Sequence, residues 1–152
     1  MNHSNYTGYW LSAEELLSDA DLVALFETLR HLSDRAVPRD GAYIRQCLSH
    51  GTSIFVMRDP AGKIIATGAL THSYVHLEHL GYIHDVVVHP DARGRGLSRI
   101  IMTGLIENAR KQGCEHLELT SSDKREAALA LYYSLGFTRR ETNVLVLPLE
   151  QT

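Results

Sequence analysis

The sequence predicts an α/β (α+β) fold, and three observations support that prediction. First, residues 81–110 read as a Val-rich strand, a loop with two glycines and two arginines, and a helix with one apolar face. Second, strands at 52–58 and 63–71 flank a Pro- and Gly-containing turn at 59–62 that is typical of a hairpin. Third, short helical patterns occur between the strand-like runs over the rest of the chain, as expected for a mostly antiparallel sheet flanked by helices.

The first third of the chain carries one predicted strand and two predicted helices. Residues 6–11 alternate weakly between apolar and polar side chains and predict the first strand. The tetrapeptide SAEE at 12–15 matches a capping box, so the next helix begins there or restarts at Ser18 or Asp19. Residues 43–48 predict a second, short helix. The apolar face of the first helix comprises Leu16, Leu17, Leu22, Val23, Leu25, Phe26 and Leu29.

The elements after the hairpin follow from similar signals. Residues 72–81 are a His-rich loop or strand extension, and the strand–loop–helix unit follows them. Gly113 stands where a helix C-cap is expected, and residues 116–120 read as a strand. Residues 127–135 predict the last helix. The alternation at 142–149 predicts a final strand.

Composition limits the class of protein. A chain of 152 residues with 44% hydrophobic and 22% charged residues is long enough and apolar enough for one soluble domain with a real core. The net charge of −3 does not favour nucleic acid or an anionic membrane as partner. The start MNHSNYTGYW lacks the layout of a signal peptide, so we expect a cytoplasmic protein. Cys47 and Cys114 are too few for a disulfide framework.

The loop at 93–96 has the features of a phosphate-binding device. The first N–H groups of the helix that follows have no intrahelical partner, and the helix dipole adds positive charge there. Gly94 and Gly96 leave the backbone accessible to a bulky phosphate, and Arg93 and Arg95 add full charges. The Gly-Lys-Ser/Thr ending of a Walker loop and the three glycines of the dinucleotide fingerprint are both missing. The alternative is a basic turn between a strand and a helix.

Two motifs carry a family resemblance. The run Arg93 to Ser98, RGRGLS, resembles the pyrophosphate loop of the GNAT superfamily of acetyl-CoA-dependent N-acetyltransferases. Arg93 and Gly96 fit that pattern, whereas Ser98 stands where Gly or Ala is usual. The run from Leu131 to Phe137, LYYSLGF, is similar to the aromatic-Tyr segment of the same superfamily. Two matches at the expected separation are more specific than either alone.

The resemblance covers residues 54–149 and implies the rest of the architecture. It implies a single domain over residues 1–152, with a mixed, twisted sheet of six to seven strands, about four helices, and CoA in the V between strands 4 and 5. The main-chain groups of Val86, Val87 and Val88 would bind the pantetheine arm of acetyl-CoA, the co-substrate. The pyrophosphate would lie on Arg93, Gly94, Arg95, Gly96, Leu97 and Ser98.

Tyr132 is the candidate general acid. The resemblance places it at the Tyr position before Gly136-Phe137, where a phenol could contact the cofactor and protonate the departing thiolate. Tyr133 is the alternative, because a shift of one residue would exchange the two side chains. The alternative role for either is packing with a satisfied hydroxyl.

His84 and Asp85 are the candidate bases. Several members of the superfamily carry Glu-Asp at this point of the strand, and His84 replaces the Glu here. An imidazole can accept a proton near neutral pH, directly or through water. Neighbours on a strand point to opposite faces, so only one of the two faces the cleft unless a bulge intervenes. Asp85 could instead bind the amine as a cation, and His84 could be a structural imidazole.

Five histidines lie close together in the sequence: His72, His76, His79, His84 and His89. Their spacing is conceivable for zinc, but no cysteine lies near and the run crosses a loop and two strands. We therefore expect no metal and predict a polar wall of the acceptor site.

The predicted activity is acetyl transfer to the primary amine of a small polar molecule. GYIHDVVV and GFTRRE are similar to segments of glucosamine-6-phosphate acetyltransferases, and LTSSDKREAALALYYSLGF to segments of aminoalkylphosphonate and aminoglycoside acetyltransferases. A protein lysine or N-terminal acetyltransferase and a non-catalytic CoA-binding sensor module are the alternatives. The strand at 143–147 could pair with the edge of a second copy to form a homodimer.

Overall fold

The computed structural model describes residues 5–15 and 17–149. Leu16 of the predicted helical face and the first four residues of the N-terminal decapeptide lie outside these ranges. The described elements are β1 (Thr7–Trp10), α1 (Asp19–Arg30), α2 (Gly41–Ser49), β2 (Ser53–Arg58), β3 (Ile64–Tyr74), β4 (His79–Val88), a 3-10 turn (Pro90–Ala92), α3 (Leu97–Gln112), β5 (His116–Glu118) and α4 (Glu126–Ser134). The chain divides into two compact units, Met1–Leu119 and Thr120–Thr152, and all five strands belong to the first.

The sheet has the order β1-β2-β3-β4-β5 and is mixed, as predicted. The first three pairs are antiparallel, and β4 pairs with β5 in parallel through the crossover helix α3. The hairpin between β2 and β3 is confirmed, with the amide of Gly62 bonded to the carbonyl of Asp59 at 2.9 Å. The predicted number of six to seven strands is wrong for the described residues, which contain five.

Helix α1 begins at the second of the two predicted start sites. Ser18 is its N-cap, and Asp21 completes a capping box with it, whereas Ser12 only accepts the amide of Glu15 at 3.2 Å within a turn. Asp19 and Asp21 also place negative charge in the first turn, where the helix dipole favours it.

The core of the first unit lies on both faces of the sheet. On one face, α1 and α2 pack against β2 and β3 around Leu25, Val56 and Ile64, each at most 2% exposed. Burying each of these side chains stabilises the fold by about 1.5–3 kcal/mol. On the other face, α3 approaches β3 so closely that a Cβ built at Gly68 would lie 2.6 Å from Cγ2 of Ile101.

The predicted strand at 142–149 is not formed. The described part of the second unit contains α4, and the residues that follow it up to Leu149 have no regular secondary structure. Val144 and Leu145 are 68% and 91% exposed. A strand needs a hydrogen-bonded partner, and the described residues give this segment none. Within the described residues no helix is long and apolar enough to cross a membrane.

Candidate active site

Strand β4 contains a bulge at Asp85. Its register with β3 shifts between the pairs Thr67↔Val87 and Ala69↔His84, so one extra residue lies on the β4 side. Asp85 has φ 54, in the left-handed region that Asp tolerates better than most side chains. The bulge is the condition under which two successive side chains here escape strict alternation. His84 is half-buried and Asp85 is exposed.

The parallel strands β4 and β5 are paired over only a short stretch. β4 pairs with β5 at Leu80, Gly81 and Tyr82, opposite residues 116–118, and β5 ends there. Among the described strands, none pairs with residues 83–88 on that side of β4. The main chain of this half of β4 therefore offers hydrogen-bonding groups that must find partners outside the sheet. Val86, Val87 and Val88, predicted to bind the pantetheine arm, lie in this stretch.

His84 has one polar partner in the described part of the chain. Its Nε2 lies 2.8 Å from the Oγ1 of Thr71 on β3, and its ring lies 4.7 Å from the ring of Tyr82. Burial lowers the pKa of His84 below its ordinary value of 6.5, and the nearby carboxylate of Asp85 acts in the opposite direction. A neutral imidazole at physiological pH can accept a proton.

The loop after β4 presents an open helix N-terminus. Gly94 and Gly96 have φ of 72 and 73, and nothing lies within 4 Å of a Cβ built at Gly94. No side chain caps α3 at Gly96, and the amides of Arg99 and Ile100 are the first that bond back to it. The amides of Leu97 and Ser98 precede those bonds. Amides at such an end, with alternating glycines, favour an anion.

The two arginines of the loop make contacts within the protein. Arg93 Nε donates to the carbonyl oxygen of Val88 at 3.1 Å, which holds the side chain against the end of β4. Arg95 donates to the hydroxyl of Tyr6 and lies over its ring. The sequence carried no signal for the Tyr6 contact because the two residues are 89 positions apart.

A cavity of about 670 Å³ lies beside this loop, toward the β2–β3 turn. It is lined by Tyr6, Lys63, His89, Asp91 and Arg95 among others. Of the predicted catalytic and cofactor-binding residues only Arg95 lines it, and of the five histidines of the predicted polar wall only His89 does. The cavity is therefore distinct from the open edge of β4, which is where the bulge and the exposed backbone lie.

Tyr132 belongs to the second unit. It is 9% exposed on α4, and burial raises the pKa of its phenol above the ordinary value of 10.0, against a smaller opposite effect of Arg125. Its ring lies 6.1 Å from that of Phe137, whereas Tyr133 is 50% exposed. A buried, protonated phenol suits a general acid better than the exposed neighbour does.

The histidines of the predicted polar wall do not form one cluster. His79 is 4% exposed, with Nδ1 3.0 Å from the carbonyl oxygen of Gly113 and Nε2 3.0 Å from Nδ1 of His72. His89 caps the 3-10 turn by accepting the amide of Asp91 at 3.3 Å, and His76 is exposed. Within the described residues, no group of three or more His, Cys, Asp or Glu could hold a metal ion.

The chain is similar to known acetyltransferases. The model of the Acetyltransferase (GNAT) family matches residues 14–137. One relative, glucosamine 6-phosphate N-acetyltransferase of Trypanosoma brucei brucei, is 33% identical over 135 residues, covering 83% of this chain and 88% of the relative.

Two solved structures are similar in fold. An acetyltransferase of Trypanosoma brucei superposes with a TM-score of 0.78 at 28% identity, covering 95% of this chain and 100% of that one. A predicted acetyltransferase of Clostridium acetobutylicum, solved with acetyl-CoA, has a TM-score of 0.71 at 16% identity, covering 93% of this chain and 96% of the other. The second likeness concerns the fold alone.

Proposed function

This chain belongs to the GNAT family of acetyltransferases, and from that premise we propose that it transfers an acetyl group from acetyl-CoA to the primary amine of a small polar molecule. One observation carries the proposal: the half of β4 that β5 leaves unpaired leads directly into an uncapped helix N-terminus with two glycines at positive φ. An extended thioester arm and a pyrophosphate are the ligands that such a backbone edge and such an anion site would take together.

The acceptor we propose is an amino sugar phosphate, an aminoalkylphosphonate or a similar small amine. Support comes from the relative in Trypanosoma brucei brucei, which is named for glucosamine 6-phosphate and covers most of both chains. Glucosamine 6-phosphate is therefore the first acceptor to test.

In the proposed binding mode the cofactor runs along β4 into the loop. The main chain of Val86, Val87 and Val88 bonds the pantetheine arm, and the loop residues hold the pyrophosphate. These loop residues are Arg93, Gly94, Arg95, Gly96, Leu97 and Ser98. Arg95 reaches the phosphates by exchanging its contact with Tyr6 for them.

In the proposed mechanism the amine attacks directly in a ternary complex. His84 accepts a proton from the amine, directly or through water, while the nitrogen forms a bond to the thioester carbonyl carbon. Asp85 lies next to it and raises its basicity, or holds the amine as a cation. The C–S bond then breaks, and Tyr132 gives its proton to the sulfur. Holding the two substrates together supplies a further part of the rate.

A panel of primary amines, read by mass with acetyl-CoA as donor, tests the function. With glucosamine 6-phosphate or a related amine we expect a product about 42 Da heavier than the amine, because an acetyl group replaces one hydrogen. We also expect acetyl-CoA to increase the Tm of the protein by mass action. Gly96→Trp should abolish the increase, because the indole blocks the backbone at the phosphate site. A Tm increase without any acetylated amine would indicate a CoA-binding module, and acetylated peptides alone would indicate a protein acetyltransferase.

The two adjacent tyrosines provide a matched test of the acid. Tyr132→Phe keeps the ring and removes only the hydroxyl, so acetyl-CoA affinity should change little while kcat falls by about 10²–10⁴-fold. Tyr133→Phe, at the exposed position, should retain turnover. The reverse outcome would assign the acid to Tyr133.

We also propose that residues 1–152 act as one cytoplasmic domain that forms a homodimer. The segment 143–147 supports the dimer, because its apolar side chains are exposed and pairing with the edge of a second copy would cover them. Light scattering at working concentration should give twice the chain mass of 17.0 kDa. A monomeric mass would remove the dimer and leave the proposed activity untouched.

A further inference from the structure

The geometry points to Thr71 as the residue that positions His84 for proton transfer, by fixing which ring nitrogen carries the lone pair. This role rests on the proposed function, because it matters only if His84 is the base of the acetyl transfer. Neither the resemblance nor the sequence pattern assigned any role to Thr71.

The contact follows from the register of the sheet. Thr71 pairs directly with Tyr82, and His84 lies two residues further along β4, so Thr71 and His84 are diagonal neighbours on one face. The imidazole reaches back across this diagonal, with Nε2 2.8 Å from Oγ1 of Thr71, and its ring lies against Tyr82. Both strands are long and paired here, so the contact is built on rigid elements.

The direction of this hydrogen bond decides whether His84 can act. A hydroxyl can donate or accept, and a neutral imidazole has one N–H and one lone pair. If Thr71 donated to Nε2, the proton of His84 would lie on Nδ1, and neither nitrogen could accept another. If Nε2–H donates to Thr71, the lone pair lies on Nδ1, which has no hydrogen-bond partner among the described residues. Only the second arrangement lets the ring act as a base.

The second arrangement also favours the product of the proton transfer. When Nδ1 takes the proton from the amine, Nε2–H still points at the same oxygen, so nothing has to rotate. The hydrogen bond then has an ionised donor and becomes stronger. Thr71 therefore orients the ring and stabilises its cationic form, while Asp85 is the nearby group that supplies opposite charge.

The test uses two substitutions at Thr71 and a matched control. Thr71→Val keeps the β-branched shape and removes the hydroxyl, and Thr71→Ser restores it. Thr67→Val is the control, because Thr67 is on the same face of β3 but donates to the carbonyl oxygen of Phe55 at 2.9 Å. We expect Thr71→Val to lower kcat about 10- to 100-fold with KM for acetyl-CoA unchanged. Thr71→Ser should recover most of kcat, and Thr67→Val should retain it.

Long-range ¹H–¹⁵N NMR of His84 provides a readout that does not need the reaction. At about pH 8, where an ordinary histidine is neutral, the wild type should show a single tautomer protonated on Nε2. Thr71→Val should show a mixture of tautomers, and Thr67→Val should match the wild type. If no amine in the panel were acetylated, the proposed function would fail, yet this change of tautomer would still support the positioning contact. A wild type protonated on Nδ1, or a Thr71→Ser variant as slow as Thr71→Val, would overturn it.

Discussion

The two halves of β4 differ in the number of strands that pair with them. Residues 79–82 are paired with β3 on one side and, from Leu80, with β5 on the other, whereas residues 83–88 are paired with β3 alone and contain the bulge. Each half carries a histidine. His79 is buried with both ring nitrogens in contact with partners, and His84 is half-buried with one nitrogen in contact. The half that the sheet leaves incomplete is the half to which we assign the proposed base and the proposed binding of the pantetheine arm.

The largest expected difference between the halves is in catalysis. His84→Gln should lower kcat by about 10²–10⁴-fold and flatten the acidic limb of the pH–rate profile, because the group that titrates there has been removed. His79→Gln should instead lower the free energy of unfolding by about 1–3 kcal/mol, since buried partners lose their hydrogen bonds, and leave kcat of the folded protein unchanged. Wild-type turnover in His84→Gln would move the base to Asp85 or to a water.

The second largest difference is expected in stability, from the packing against each half of β4. A Cβ at Gly68 would lie 2.6 Å from Cγ2 of Ile101, next to the bulge, and one at Gly81 would lie 2.5 Å from Cδ2 of Leu117. Cγ2 of Ile101 is bonded to the branched Cβ and cannot move away by rotation about χ2, whereas Cδ2 of Leu117 can. Gly68→Ala should therefore cost about 1–3 kcal/mol of unfolding free energy, and Gly81→Ala less.

Gly104→Ala in α3 is the control for the packing comparison, because the nearest atom to its Cβ is 3.9 Å away and Ala favours a helix. Urea unfolding should rank the variants in the order Gly104→Ala, Gly81→Ala, Gly68→Ala from most to least stable. Equal costs at Gly68 and Gly81 would mean that both halves tolerate crowding alike.

A smaller effect is expected from the backbone at the bulge. Asp85 has positive φ, so Asp85→Ala should be less stable than Asp85→Gly by about 1 kcal/mol. In the paired half the order should reverse, with Leu80→Gly less stable than Leu80→Ala by about 0.5–1 kcal/mol. Thermal unfolding of the four variants measures both differences. The same order at both positions would argue against the left-handed bulge.

The smallest effect concerns the pKa of His84. The carboxylate of Asp85 raises that pKa against the effect of burial, so Asp85→Asn should lower it further and move the acidic limb of kcat/KM to lower pH. The NMR titration of the imidazole should shift in the same direction. Asp91→Asn is the control, because Asp91 lies beside His89 in the loop. A rise in the pKa after Asp85→Asn would contradict the charge effect.

Local patterns predicted those parts of the fold that depend on neighbouring residues. The strand, the loop and α3 follow from residues 81–110. The capping box was predicted at Ser12 with a restart at Ser18 or Asp19 as the alternative, and the structure has Ser18 as the N-cap. The hairpin and a mostly antiparallel sheet also followed from the pattern, whereas the separation of strands 4 and 5 was implied by the family resemblance. The strand at 142–149 was predicted from alternation alone, and alternation cannot supply a pairing partner.

Parts of the candidate site could likewise be predicted from local sequence, and other parts could not. The glycines of the loop and the two motif tyrosines could be found from short sequence runs. The contacts of Thr71 with His84 and of Tyr6 with Arg95 could not, because each depends on register or on residues far apart in the chain. The bulge at Asp85 had no sequence signal of its own, although a bulge was predicted to be the condition for His84 and Asp85 to face the same side.

The exposed segment near the C-terminus has a consequence for solubility. Val144, Leu145, Val146 and Leu147 are 68%, 91%, 77% and 81% exposed, and an uncharged run of strand-forming residues is the composition that drives intermolecular β-aggregation. Pro148 follows the run directly and cannot donate a ladder hydrogen bond, and Arg139, Arg140 and Glu141 precede it as charges. These neighbours are gatekeepers, because they limit the aggregation-prone run to four residues.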